Sequence, residues 1–147
     1  MMRRSFILAS VAAFAGWLPS PAAFAQSSLV VVVNRSVPVE RLDSSQATQI
    51  FLRQVTTWPD GSRVQPVDLA EGSPLRTEFY SRVTGRSPGQ LRAYWARLAF
   101  TGMGLPPREV ATVEEVRRFV RSTPGAIGYV DRRENDPELK VVLELTP

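Results

Sequence analysis

The sequence has 147 residues, 18 of them Lys or Arg and 14 Asp or Glu, and it contains no histidine and no cysteine. That removes the commonest general bases, nucleophiles and zinc ligands, so an enzyme, a metal centre or a resident cofactor is not expected. The basic residues are scattered and mostly flanked by acids (Arg108-Glu109, Arg132-Arg133-Glu134), which argues against a nucleic-acid-binding face.

At the start of the chain, Arg3 and Arg4 precede an apolar run, Phe6 to Leu18, too short to span a bilayer; Ala23-Phe24-Ala25 then forms a small-x-small cleavage site. This predicts a removable secretory signal over residues 1–25 and one mature domain over 26–147, periplasmic or secreted. Arg3-Arg4-Ser5-Phe6-Ile7-Leu8 also resembles a twin-arginine export signal, so both export routes stay open. Without Arg3 and Arg4 the balance is 16 basic against 14 acidic side chains. No later apolar run approaches 18 residues, so the mature chain is not expected to cross a membrane.

Leu29 to Asn34 is a continuous β-branched run, expected as a strand covered on both faces, as in a parallel sheet flanked by helices. After a loop to Leu42, Asp43-Ser-Ser-Gln46 reads as a capping box opening a short helix that buries Ala47, Ile50 and Phe51 and stops around Arg53. Trp58 is expected to pack over the sheet end, before the Pro59-Asp60-Gly61 turn. Val64 to Leu69 reads as a second strand, and Ser73-Pro74 as N-cap and first residue of a helix to about Val83. Ser87-Pro88 starts another helix with a stripe of Leu91, Tyr94, Trp95 and Leu98, broken by a loop from Thr101 to Pro107. Thr112 to Glu115 is a capping box for a helix burying Val113, Val116, Phe119 and Val120 and showing Arg117, Arg118 and Arg121 to water. Ala126 to Val130 is a strand, with a glycine, Gly128, that allows close approach of another backbone or a ligand, and Lys140 to Leu145 a last, edge strand. The order β-α-β-α-α-α-β-β predicts a layered α/β domain with a small, partly parallel sheet.

The chemistry concentrates at Ala70 to Arg76. A strand that delivers a Gly72-Ser73 turn to a helix start aims free backbone N–H groups and the positive dipole end at one spot, an oxyanion site in form. Arg76 adds a planar guanidinium within the first turn. The alternative is that Ser73 only caps the helix and Arg76 is an ordinary surface side chain.

Three segments together resemble the periplasmic phosphate-binding proteins of ABC importers, of the type II solute-binding fold. Val31 to Asn34, Ser45, Ile50-Phe51-Leu52 and Thr57-Trp58 are similar to that family's strand, helix and I-F-x-G-x-(I/V)-x-x-W signature. Glu71-Gly72-Ser73 with Arg76 and Phe79 resembles its G-S-G-T-(R)-x-x-F turn, and Pro124 to Val130 its P-G-A-I-G-Y strand. The match covers nearly all of residues 26–147 and corresponds to about half of a full-length family member, the second of two lobes that close on phosphate. The resemblance implies phosphate or a related oxyanion as ligand, held by Gly72, Ser73, Leu75 and Arg76, an ABC importer permease as partner, and a homo-oligomer or partner lobe to complete the cleft.

The departures fall on the ligand turn. Pro74 and Leu75 replace a glycine and a threonine, deleting an N–H and a hydroxyl donor; Asp68 places a negative charge near the anion; and Arg53 stands where the Phe-x-Gly signature has glycine. Two readings follow: an exported solute-binding-like protein with weak oxyanion binding at the Gly72-Ser73 helix start, or an envelope interaction or sensory module that has lost its ligand.

Overall fold

The computed structural model describes residues 27–147; the leader, cleavage site and start at residue 26 expected from the sequence lie outside them. The elements, in chain order, are β1 (Leu29–Val33), α1 (Ser44–Phe51), β2 (Gln65–Leu69), α2 (Pro74–Thr84), α3 (Pro88–Thr101), β3 (Arg108–Val110), α4 (Val113–Ser122), β4 (Ala126–Asp131) and β5 (Lys140–Leu145). One sheet has the order β3-β2-β4-β1-β5. β2 runs parallel to β3 and to β4, whereas β1 is antiparallel to both β4 and β5.

Every residue of β1 is buried, as its unbroken β-branched run predicts, but its neighbours are antiparallel rather than parallel. Burial on two faces demands cover above and below; it does not fix the direction of the flanking strands. β5 is an edge strand, as expected.

Local capping chemistry sets the helix starts. Asp43–Gln46, Ser87–Gln90 and Thr112–Glu115 each form a reciprocal capping box. Pro74 and Pro88 begin α2 and α3, and Gly85 and Gly102 end them in the left-handed conformation. The first helix stops at Phe51, two residues earlier than expected. β3 was not anticipated; it lies between the Thr101–Pro107 loop and α4.

Two layers of helix cover the sheet. On one face, a Cβ added at Gly128 would stand 2.8 Å from Val116, 3.0 Å from Val67 and 3.2 Å from Val120, so the glycine is what lets α4 settle on the strands. The close approach there is by valine side chains of α4 and β2. Val116 and Val120 of α4 are fully buried, while Val113, Phe119 and Arg117 are half-buried. On the opposite face, where Tyr129 points, Phe51, Phe79 and Tyr80 pack edge-to-face and the Phe79 and Tyr129 rings stack at 3.9 Å. Trp58 is buried at the sheet end and donates its indole N–H to the Gly125 carbonyl at 3.0 Å. Among the described residues no helix is long and apolar enough to cross a membrane.

Candidate functional site

β2 ends at Leu69, and the chain turns through Gly72, whose φ of +95° favours glycine, into Ser73. The Ser73 amide donates to the Ala70 carbonyl at 3.1 Å, and its hydroxyl oxygen accepts from the Arg76 amide at 3.4 Å. The turn therefore brings Gly72, Ser73, Leu75 and Arg76 to one helix tip, and Ser73 is its N-cap. Pro74 has no N–H to offer, so the Gly72 and Leu75 amides and the Ser73 hydroxyl proton are the donors there without a protein acceptor among the described residues.

The Arg76 side chain does not face outward. It is 8% exposed and folds back along β2. Its Nη1 donates to the Leu69 carbonyl at 2.8 Å and to Glu109 Oε1 at 2.7 Å, and its Nε lies 3.8 Å from Asp68 Oδ2. The guanidinium also sits 5.7 Å from the centre of the Tyr80 ring. Asp68 and Glu109 are opposite one another in the parallel β2–β3 ladder, so one strand pair delivers both carboxylates to this arginine.

Asp68 is 1% exposed and is the centre of a closed network. Tyr80 donates to its Oδ2 at 2.6 Å, and Tyr129 donates a short hydrogen bond to its Oδ1. Burial pushes the Asp68 carboxyl up, against the opposing pull of Arg76 and of the two tyrosine hydroxyls. Burial and the adjacent Asp68 charge push both tyrosines above their ordinary range, so they stay protonated donors. For Arg76, burial disfavours the charge, but Asp68 and Glu109 outweigh it and hold its pKa above the usual value.

Beside the tip, Glu71, Gly72, Arg76, Thr77, Tyr80, Arg86, Pro88 and Leu91 enclose about 10 Å³, room for roughly one water molecule. Glu71 is ion-paired with Arg92 at its mouth. A carboxylate-neutralised arginine above a water-sized space is an internal salt-bridge network.

Sequence reasoning placed Asp68 near this tip but missed Glu109, Tyr80 and Tyr129. Tyr129 lies inside the Pro124–Val130 motif and Tyr80 follows Phe79, so both were adjacent to recognised signals. Glu109 carries no signal, because the three-residue strand that presents it lies between the expected loop, Thr101 to Pro107, and the Thr112 capping box.

No protein-family model matches the chain. Solved structures share its fold. A protein from Clostridium perfringens, described as a phosphate ABC transporter substrate-binding protein and solved with bound phosphate, superposes with a TM-score of 0.66 at 19% identity, over 80% of this chain and 45% of the other. An ABC-type phosphate transport receptor from Vibrio cholerae gives 0.62 at 20% identity, over 80% and 46%. PstS from Borrelia burgdorferi gives 0.63 at 11% identity, over 80% and 47%. The chain has the fold of one lobe of a type II solute-binding protein. It spans just under half the length of each of these proteins, and identities this low establish the fold alone.

Proposed function

We propose that residues 26–147 form an exported, periplasmic or secreted lobe of the solute-binding type that serves as an envelope interaction or sensory module and does not capture phosphate on its own. The observation that carries this reading is the fate of Arg76. A phosphate at the α2 tip would have to draw its guanidinium away from Glu109, Leu69 and Asp68, forfeiting charge-assisted hydrogen bonds at about 1.5–3 kcal/mol each. It would then face the Asp68 charge that remained. The donors left at the tip, the Gly72 and Leu75 amides and the Ser73 hydroxyl, are too few to replace the hydration of a multiply charged oxyanion.

The test is titration calorimetry of the exported protein with phosphate, sulfate and tungstate, with its association state measured in the same sample. The expected result is no saturable heat at about millimolar ligand, where even weak sites register. Saturable 1:1 heat abolished by Ser73→Ala would overturn this reading in favour of weak oxyanion capture. Ligand-dependent heat confined to a dimer, or to the protein mixed with an importer permease or partner lobe, would restore the receptor reading through a rebuilt two-sided cleft.

A further inference from the structure

The end of α3 and the loop after it carry three large apolar side chains held out in water: Phe100 is 93% exposed, Met103 78% and Leu105 73%. They fall within six residues, far denser than the scattered single apolar residues of an ordinary soluble surface. The backbone makes them a projection. Gly102 ends α3 in the left-handed conformation, the Met103 amide closes back onto the Leu98 carbonyl at 2.9 Å, and Gly104, with φ of +153°, turns the chain again. This tip leads into β3 near the start of β2, at the opposite end of the sheet from the α2 tip.

Behind it lie three arginines. Arg53 and Arg108 line one groove with Pro106 and Pro107, the two residues following Leu105. Arg97, one turn before Phe100, lies over the Tyr94 ring at 5.8 Å, and the Tyr94 hydroxyl donates to the carbonyl of Leu52, the neighbour of Arg53. Seven other arginines, Arg76, Arg82, Arg92, Arg117, Arg121, Arg132 and Arg133, each meet a carboxylate. Among the described residues eight arginines meet none, Arg35, Arg41, Arg53, Arg63, Arg86, Arg97, Arg108 and Arg118, and three of these, Arg53, Arg97 and Arg108, lie behind the apolar tip.

We propose that this tip docks on a lipid bilayer with anionic headgroups, with Phe100, Met103 and Leu105 entering the interface and Arg53, Arg97 and Arg108 at headgroup depth. Apolar insertion and cationic attraction are each marginal alone, and lasting membrane association requires two such signals together. A projecting apolar tip needs no matching socket on a bilayer, which favours lipid over a protein groove. The inference is independent of whether the α2 tip takes an anion.

The experiment is vesicle flotation of the protein recovered after export, its N-terminus read by mass spectrometry. Vesicles of phosphatidylcholine alone are compared with phosphatidylcholine and phosphatidylglycerol at about 3:1. The expected result is flotation with the anionic vesicles only, released on raising salt from about 0.1 M to about 0.5 M. Phe100→Ser/Met103→Ser/Leu105→Ser should weaken it by about tenfold or more, and Arg53→Gln/Arg97→Gln/Arg108→Gln should abolish the preference for phosphatidylglycerol. Near-UV circular dichroism checks that both variants are folded, and Phe100→Ser alone, weakening flotation severalfold, replaces a triple variant that is not. Wild-type protein that stays with the soluble fraction, binding that ignores headgroup charge, or a folded apolar variant that floats as well as wild type would each overturn the proposal. The last outcome would assign binding to another part of the chain, and the first would leave the tip to a protein partner.

Discussion

Replacing Arg76 by methionine separates an arginine that awaits a ligand from one that the fold requires. Methionine keeps most of the aliphatic stem but leaves Asp68, 1% exposed, without the cation 3.8 Å from its Oδ2. Removing one partner of a buried pair costs about 3–5 kcal/mol, because the surviving charge stays desolvated. That loss is comparable with a large share of a small domain's whole stability, about 5–15 kcal/mol, and corresponds to a fall in Tm on the order of 10–20 °C. The pH dependence identifies the cause. Asp68 already has a folded-state pKa raised by burial, so its contribution to stability is fully present below the unfolded value of about 4 and is lost as pH rises through the folded one. Without Arg76 the folded pKa rises further. The variant's deficit is therefore smaller at about pH 4, toward which protonation removes the buried charge, than at about pH 8. Urea unfolding followed by circular dichroism at both pH values measures it. A deficit below about 1 kcal/mol at pH 8, or one that does not change with pH, would refute the buried-pair account and return Arg76 to the surface.

Two further substitutions test the backbone. Arg53 holds a φ of +61° where the resembled signature has glycine, so Arg53→Gly should stabilise the fold by about 0.5–1 kcal/mol in urea unfolding, the relief of strain partly offset by the entropy of an unfolded glycine. Gly125 combines a φ of +78° with a site where an added Cβ would stand 2.3 Å from the Arg63 carbonyl oxygen, so Gly125→Ala should cost about 3 kcal/mol or more and disturb the nearby Trp58 indole, read by its fluorescence.

What the sequence made legible was the chemistry that acts over a few residues. Asp43, Ser73, Ser87 and Thr112 announce helix starts because a cap is a bond to an amide three residues on, and the buried faces of β1 and β4 follow from apolar runs that leave no polar side. β3 escaped because three residues, Arg-Glu-Val, have no period, and its pairing with β2 joins segments some forty positions apart. The direction of β1 escaped for the same reason. The candidate site divides along this line. Its cap, its turn glycine and its helix are local, and the structure has all three. Its charge balance is not, since Glu109 reaches Arg76 across 33 positions and Tyr129 reaches Asp68 across 61. An arginine in the first turn of a helix reads the same in sequence whether it waits for an anion or already holds one supplied by its own chain. The local hint was Asp68, a carboxylate placed one residue from the end of the strand that feeds the tip. A buried carboxylate requires a cation and hydroxyl donors, and here Arg76, Tyr80 and Tyr129 supply them. Once Asp68 and Glu109 have claimed Arg76, the tip keeps the outline of an oxyanion site without the free charge of that arginine.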